Sequence, residues 1–274
     1  MRHGRNKYVK NSYNGDGTLL LGNLYQSPIK SQLIGAGGPQ QIYEVDTTQR
    51  YGLGTRMTTP DGRVFRYGLS AAAIQAGRGC KTIVSMASHG VATSCLYACA
   101  VGDTEILFAS QTFAKDVLVG GYIVIYSAAS TYQQRLIVGN NACSGTTLTI
   151  ELEQPLTVAV AAATYCEVMG NPYRYMSSAS TAYASCLGVP HVVIAAAGTY
   201  FWMQTWGPLW CNPGPYGMGG DAQERHVIFN PDGSLRPRNE HSSDGVDYQL
   251  AGFIMNLTSV GADAPPFIML QISP

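Results

Sequence analysis

Apolar and polar positions alternate most clearly between residues 103 and 169. The runs DTEILFA (103–109), YIVIYSA (122–128), QQRLIVGN (133–140) and TTLTIELEQPL (146–156) are short and β-rich. Gly120-Gly121, Asn140-Asn141 and Ser144-Gly145 punctuate them, so the spacing predicts antiparallel strands. In the last run Thr147, Thr149 and Glu151 alternate with Leu148, Ile150 and Leu152, which predicts one wet and one buried face. Upstream, Arg63-Val64-Phe65-Arg66-Tyr67 alternates behind the turn residues Pro60-Asp61-Gly62. That pattern predicts a hairpin with Arg63 and Val64 on opposite sides. The segment SAAAIQAG (70–77) can form two helical turns before Gly77 stops them.

A second apolar block, CLGVPHVVIAAAGTYFWMQTWGPLW, fills residues 186–210. Val192-Val193-Ile194 and Tyr200-Phe201-Trp202-Met203 read as strands joined through Ala197-Gly198. Trp202, Trp206 and Trp210 recur at every fourth residue, but Gly207-Pro208 between the last two rules out a helix. Residues 212–247 are rich in Gly, Pro, Asp and Asn and read as a long loop region. Two further strand-like runs, 248–257 and 266–272, end the chain. Residues 1–48 hold no lasting period and contain the breaker cluster GAGGPQQ (35–41), so an extended arm is expected there. The fold class is therefore mainly β: antiparallel sandwich-like or barrel-like modules, an extended N-terminal arm and long loops. The divisions expected are the arm (1–48), a hairpin and connecting region (49–112), a β-module (113–169) and a C-terminal β-region packed on the rest (170–274).

Composition narrows the function. Only 12% of residues are charged, and 17 basic side chains balance 17 acidic ones. A phosphate-binding surface needs a basic excess, so specific nucleic-acid binding is not expected. With 46% hydrophobic residues the chain can order itself, and no apolar run approaches the roughly 20 residues of a membrane span. The basic, polar start MRHGRNKYVK has no apolar stretch behind it and does not read as a signal peptide. Seven cysteines, an odd number, then read as small buried hydrophobes rather than a disulfide framework. A chain with 31 glycines, 17 tyrosines and little charge suggests an assembly subunit.

Candidate chemistry is thin. His89, Cys95 and Cys99 are spaced H-x5-C-x3-C, with His191 or His226 as distant additions, but structural zinc sites show two such pairs. Glu151 and Glu153 share a strand face, where paired carboxylates serve glycoside hydrolysis, yet such neighbours more often face solvent. No G-x-S-x-G elbow is present, and neither YGLGT (51–55) nor GMGG (217–220) opens a helix after a strand. No cofactor and no enzymatic activity are expected. The aromatic cluster Tyr200, Phe201, Trp202, Trp206 and Trp210 reads as core or subunit interface before sugar platform. Arg2, Arg5, Lys7 and Lys10 suit a segment docking on another subunit.

At LGTRMTTPDGRVFRYGLSAA (53–72) the chain resembles a group of virion structural proteins of tailed bacteriophages, and AAAGTYFWMQTWGP (195–208) strengthens the likeness. The resemblance implies a head-associated protein, a decoration or cement subunit, and supplies no catalytic residues. On that reading the partner is the major capsid protein, and the chain is a homotrimer made in the host cytoplasm and carried on the capsid surface. Interface candidates are Arg2, Arg5, Lys7, Lys10, Arg63, Arg66, Tyr200, Trp202, Trp206 and Trp210, since Arg, Tyr and Trp are enriched at hot spots. The alternatives are a tail or fibre protein binding a host-surface glycan, and a β-fold hydrolase. The absence of a long amphipathic helix argues against the major capsid protein itself.

Overall fold

The computed structural model describes residues 12–13, 19–20, 40–82, 90–128, 131–178, 184–214, 225–238, 248–256 and 265–274. They are mainly β, with antiparallel sheets and no α-helix. Two compact units form, one built chiefly from Gln32–Ile83 with Tyr173–Pro274 and the other from Val84–Pro172. The first unit starts with β1 (Ser12–Tyr13), β2 (Leu19–Leu20), β3 (Val45–Asp46), β4 (Arg56–Thr58), β5 (Val64–Leu69) and β6 (Cys80–Thr82). The second unit holds β7 (Gly90–Ser94), β8 (Glu105–Phe113), β9 (Tyr122–Ala128), β10 (Thr131–Asn140), β11 (Cys143–Leu152) and β12 (Tyr165–Met169). The chain then returns to the first unit with β13 (Met176–Ser177), β14 (Cys186–Pro190), β15 (Tyr200–Trp210), β16 (His226–Phe229), β17 (Leu235–Pro237), β18 (Leu250–Asn256) and β19 (Phe267–Gln271).

The second unit is a six-stranded sheet in the order β7-β12-β9-β10-β11-β8. Just past β7, Cys95 bridges Phe108 of β8, so the two edges meet and the sheet nearly closes into a barrel. Alternation drives this closure. Leu148, Ile150 and Leu152 of β11 point inward with Ile106 and Phe108 of β8 and Ile123 and Ile125 of β9, while Glu151 faces solvent. The four strands read from the sequence in this region are all present. The expected boundaries at 112/113 and 169/170 differ from the compact division near 83/84 and 172/173, because β8 pairs along β11 across the first of them.

The first unit is organised on β15. Its first part pairs with β5 and its last part with β19, with a register shift between Gln204 and Trp206. Gly207 takes φ +103° at this change of partner, where a Cβ would lie 2.9 Å from Arg63 Cγ. Buried Gln204 donates to the carbonyls of Trp206 and Pro208, both at 3.0 Å, and so satisfies backbone the irregular register leaves over. β15 is covered on both faces: Trp202 packs with Tyr51, Leu53, Phe65 and Tyr67, and Phe201 and Met203 pack with Ile74, Cys80 and Ile194. Double coverage explains why this strand reads as a continuous apolar run. The Pro60-Asp61-Gly62 hairpin joins β4 to β5 as the sequence predicts, but where one buried face is expected β5 is buried on both, with Val64 on one side and Phe65 and Tyr67 on the other.

Four expectations are corrected. The region 212–247, expected as loop, contains β16 and β17, which pair antiparallel with each other, and β16 also pairs with β18. Residues 70–77 form no helix, because their backbone N–H groups are taken from outside the segment: Ser70 by Thr199 O, Ala71 by Met176 O, Ile74 by Ile194 O and Gly77 by Pro190 O. Tertiary pairing overrides the helix preference of the alanines. Residues 192–194 make no strand of their own; Ile194 only exchanges two 2.9 Å bonds with Ile74, and the strand is β14, just upstream. The end of the presumed arm belongs to the body: Ile42 lies in the Trp202 core, and β3 pairs with β15. Arg2, Arg5, Lys7 and Lys10 lie outside the described residues.

Candidate functional site

Two surfaces stand out, one on each unit. The first is an open cleft of about 770 Å³ in the first unit, where the β4–β5 turn, the end of β14 and the last part of β15 meet. Trp210, at the end of β15, is 47% exposed, and its ring lies 4.9 Å from that of Phe267 on neighbouring β19, tilted by 41°. Tyr43 forms another part of the wall and meets His191 edge-on at 5.6 Å.

The polar groups of the cleft are held in place. Asp61 accepts from the Thr59 hydroxyl and pairs with Arg63 Nε at 2.7 Å. Burial pushes the Asp61 carboxyl up, but the hydrogen bonds from Thr59 and Arg63 outweigh it, so the group sits below the usual carboxylate range. The Arg63 guanidinium in turn lies 5.5 Å from the centre of the Phe65 ring. His191 contacts Gln204 Oε1 at 2.7 Å. The Gln204 amide nitrogen already donates to two carbonyls, so its oxygen must accept here, and His191 carries its proton on Nε2. The other ring nitrogen is then an acceptor. Burial holds the imidazole pKa below its ordinary value, with Arg63 adding to the effect and the Gln204 bond opposing it. The imidazole is neutral at pH 7.

The second surface is the outward face of β12, β9 and β10 in the second unit. Strand register places Met169 beside Tyr122, Glu167 beside Val124, and Tyr126 beside Tyr132. Tyr122, Tyr126, Tyr165 and Met169 are 42–53% exposed and Tyr132 is 71% exposed. The rings of Tyr126 and Tyr165 stand 5.7 Å apart. Among the described residues of this face the one carboxylate, Glu167, is hydrogen-bonded by Tyr126. It is an apolar, tyrosine-rich sheet face with its aromatic side chains left in solvent.

The residues singled out from sequence are dispersed. Arg63 and Trp210 line the cleft. Trp202 is fully buried, with its indole N–H donated to Gln40 O at 3.0 Å, and so belongs to the core rather than to a surface. Tyr200 is half-buried and stacks on Tyr67 with centroids 5.9 Å apart. Trp206 is half-buried, and Arg66 donates to Gly54 O at 3.1 Å. Sequence reasoning missed Tyr43 and Phe267, and it read Asp61 only as a turn residue and His191 only as a distant metal-ligand candidate; the four come from distant segments. It also passed over the tyrosine face, although YIVIYSA alternates Tyr122 and Tyr126 against Ile123 and Ile125.

All seven cysteines are buried and free, and the Cys95 and Cys166 sulfurs are 3.3 Å apart. Among the described residues no three or more His, Cys, Asp or Glu side chains are grouped to hold a metal; His89 lies outside them. Glu153 accepts from the Leu136 N–H at 3.2 Å. No described helix is long and apolar enough to cross a membrane. No protein-family model matches the chain, and no curated protein or solved structure is significantly similar to it.

Proposed function

We propose that the chain is a non-enzymatic structural subunit of a tailed-bacteriophage virion, a decoration or cement protein that docks on the major capsid protein. The observation that carries this reading is the tyrosine face of β12, β9 and β10. Interface cores are enriched in Tyr and Met and depleted in Lys and Glu, and this face has that make-up. A sheet surface of this kind binds weakly through one copy and firmly through several. Trimeric assembly therefore completes the proposal, since symmetry multiplies modest contacts into avidity along a lattice.

The test is co-sedimentation of the purified chain with empty capsid shells. Wild type is expected to saturate the shells at a fixed ratio to the major capsid protein. Tyr132→Asp with Met169→Asp changes only exposed side chains and is expected to weaken binding at least tenfold while leaving the fold intact. A double variant that binds like wild type overturns the proposed docking face. A copy number in purified particles far below that of the major capsid protein overturns the cement reading.

A further inference from the structure

We infer that the cleft of the first unit is a binding site for a neutral oligosaccharide. The inference does not rest on the capsid reading, which uses the other unit.

A pyranose ring has an apolar C–H face and an edge of hydroxyl groups, each both donor and acceptor. The cleft offers one matching surface to each. Trp210, nearly half exposed and backed by Phe267, is a rigid apolar platform for the ring face. Asp61, Arg63, Tyr43 and His191 line the same cleft and bring acceptors and donors together: a carboxylate, a guanidinium, a hydroxyl and an imidazole. Three of these groups are held before any ligand arrives, Asp61 and Arg63 by each other with Thr59, and His191 by a Gln204 that two backbone carbonyls fix. Such preorganisation lowers the entropic cost of binding. The volume, about 770 Å³, lies within the roughly 300–1,000 Å³ of ligand clefts.

Charge selects against the competing classes. Asp61 and Arg63 neutralise each other at 2.7 Å, and His191 is uncharged, so the described residues lining the cleft leave no spare cation for a phosphate or carboxylate. A nucleotide or an acidic sugar is thereby disfavoured. A proline-rich peptide would fit the aromatic wall, but its polar groups in an extended helix are chiefly carbonyls that require donors. The acceptors Asp61 and His191 suit hydroxyl groups instead.

The experiment uses the full chain, fluorescently labelled, on an array of neutral glycans that includes glucan and N-acetylglucosamine oligomers. Hits are then titrated by calorimetry as free oligosaccharides, beside ATP and a proline-rich decapeptide. At least one neutral oligosaccharide is expected to bind, with Trp210→Ala and Asp61→Asn each weakening it tenfold or more. Trp210→Phe, which keeps an aromatic platform, is expected to recover part of the loss. Tyr132→Asp should leave saccharide binding unchanged, which separates this site from the docking face. The inference is overturned if no array member binds above the Trp210→Ala background, or if only ATP or the peptide binds.

Discussion

Trp202 shows how much of the first unit rests on single side chains. Its ring lies 5.1 Å from that of Tyr51 and 4.9 Å from that of Tyr67, and its N–H reaches Gln40 O across the core. Trp202→Ala removes the largest fully buried side chain, so a loss of about 3–5 kcal/mol is expected in urea unfolding. Trp202→Phe keeps more of the packing but leaves the Gln40 carbonyl unpaired, at a cost of about 1–3 kcal/mol. His191 sets a pH dependence. Its folded pKa lies below the 6.5 of a free imidazole, so on acidification the unfolded chain takes up this proton first. Its contribution to stability is therefore present above pH 6.5 and lost as pH falls from there toward the folded pKa. Thermal unfolding between pH 7.5 and 5 should show a steeper decline for wild type than for His191→Gln, which cannot titrate. Equal slopes would contradict the half-buried neutral imidazole.

Elements were legible where their cause is local. The strands of the second unit follow from side-chain alternation, and β9 occupies residues 122–128 as read. Residues 70–77 and 192–194 were misread because the partners of their backbone groups lie far away in sequence. The same limit hid the cleft, whose polar and aromatic residues come together only when the β4–β5 turn, β14, β15 and β19 assemble. Arg63 and Trp210 were visible as residue types, but not as neighbours. Backbone demands are uneven between elements, and two glycines measure this. Gly252 in β18 takes φ +147°, and a Cβ there would come 1.9 Å from Met269 O of β19. Gly62, in the β4–β5 turn, takes φ +84° with nothing within 4 Å. Gly62→Ala should cost only the left-handed conformation, about 1–2 kcal/mol. Gly252→Ala must also push β18 and β19 apart, so a clearly larger fall in melting temperature is expected by calorimetry.

At the scale of the whole molecule, scarce charge and long apolar runs read as a surface meant to be covered, but they gave no sign that one unit interrupts the other. Discontinuity is invisible to a reading that moves along the chain, because β6 and β13 are neighbours in space and far apart in sequence. Their pairing makes a strong prediction. Thr82 and Met176 are register partners, so the first unit leaves and re-enters at adjacent points of one antiparallel pair. A short turn can bridge such ends, as in a hairpin. The inserted unit carries its own core, from Cys95 to Val168, and nearly closes its own sheet. Expressed alone, residues 84–172 should therefore give a β-type circular dichroism spectrum and one cooperative unfolding transition. The complementary chain, with residues 84–172 replaced by a short Asn-Gly linker and carrying Trp206→Phe and Trp210→Phe, should retain the buried emission of Trp202 in fluorescence. If the inserted unit unfolds in isolation, or the bridged remainder loses its Trp202 signal, the two cores depend on each other for folding.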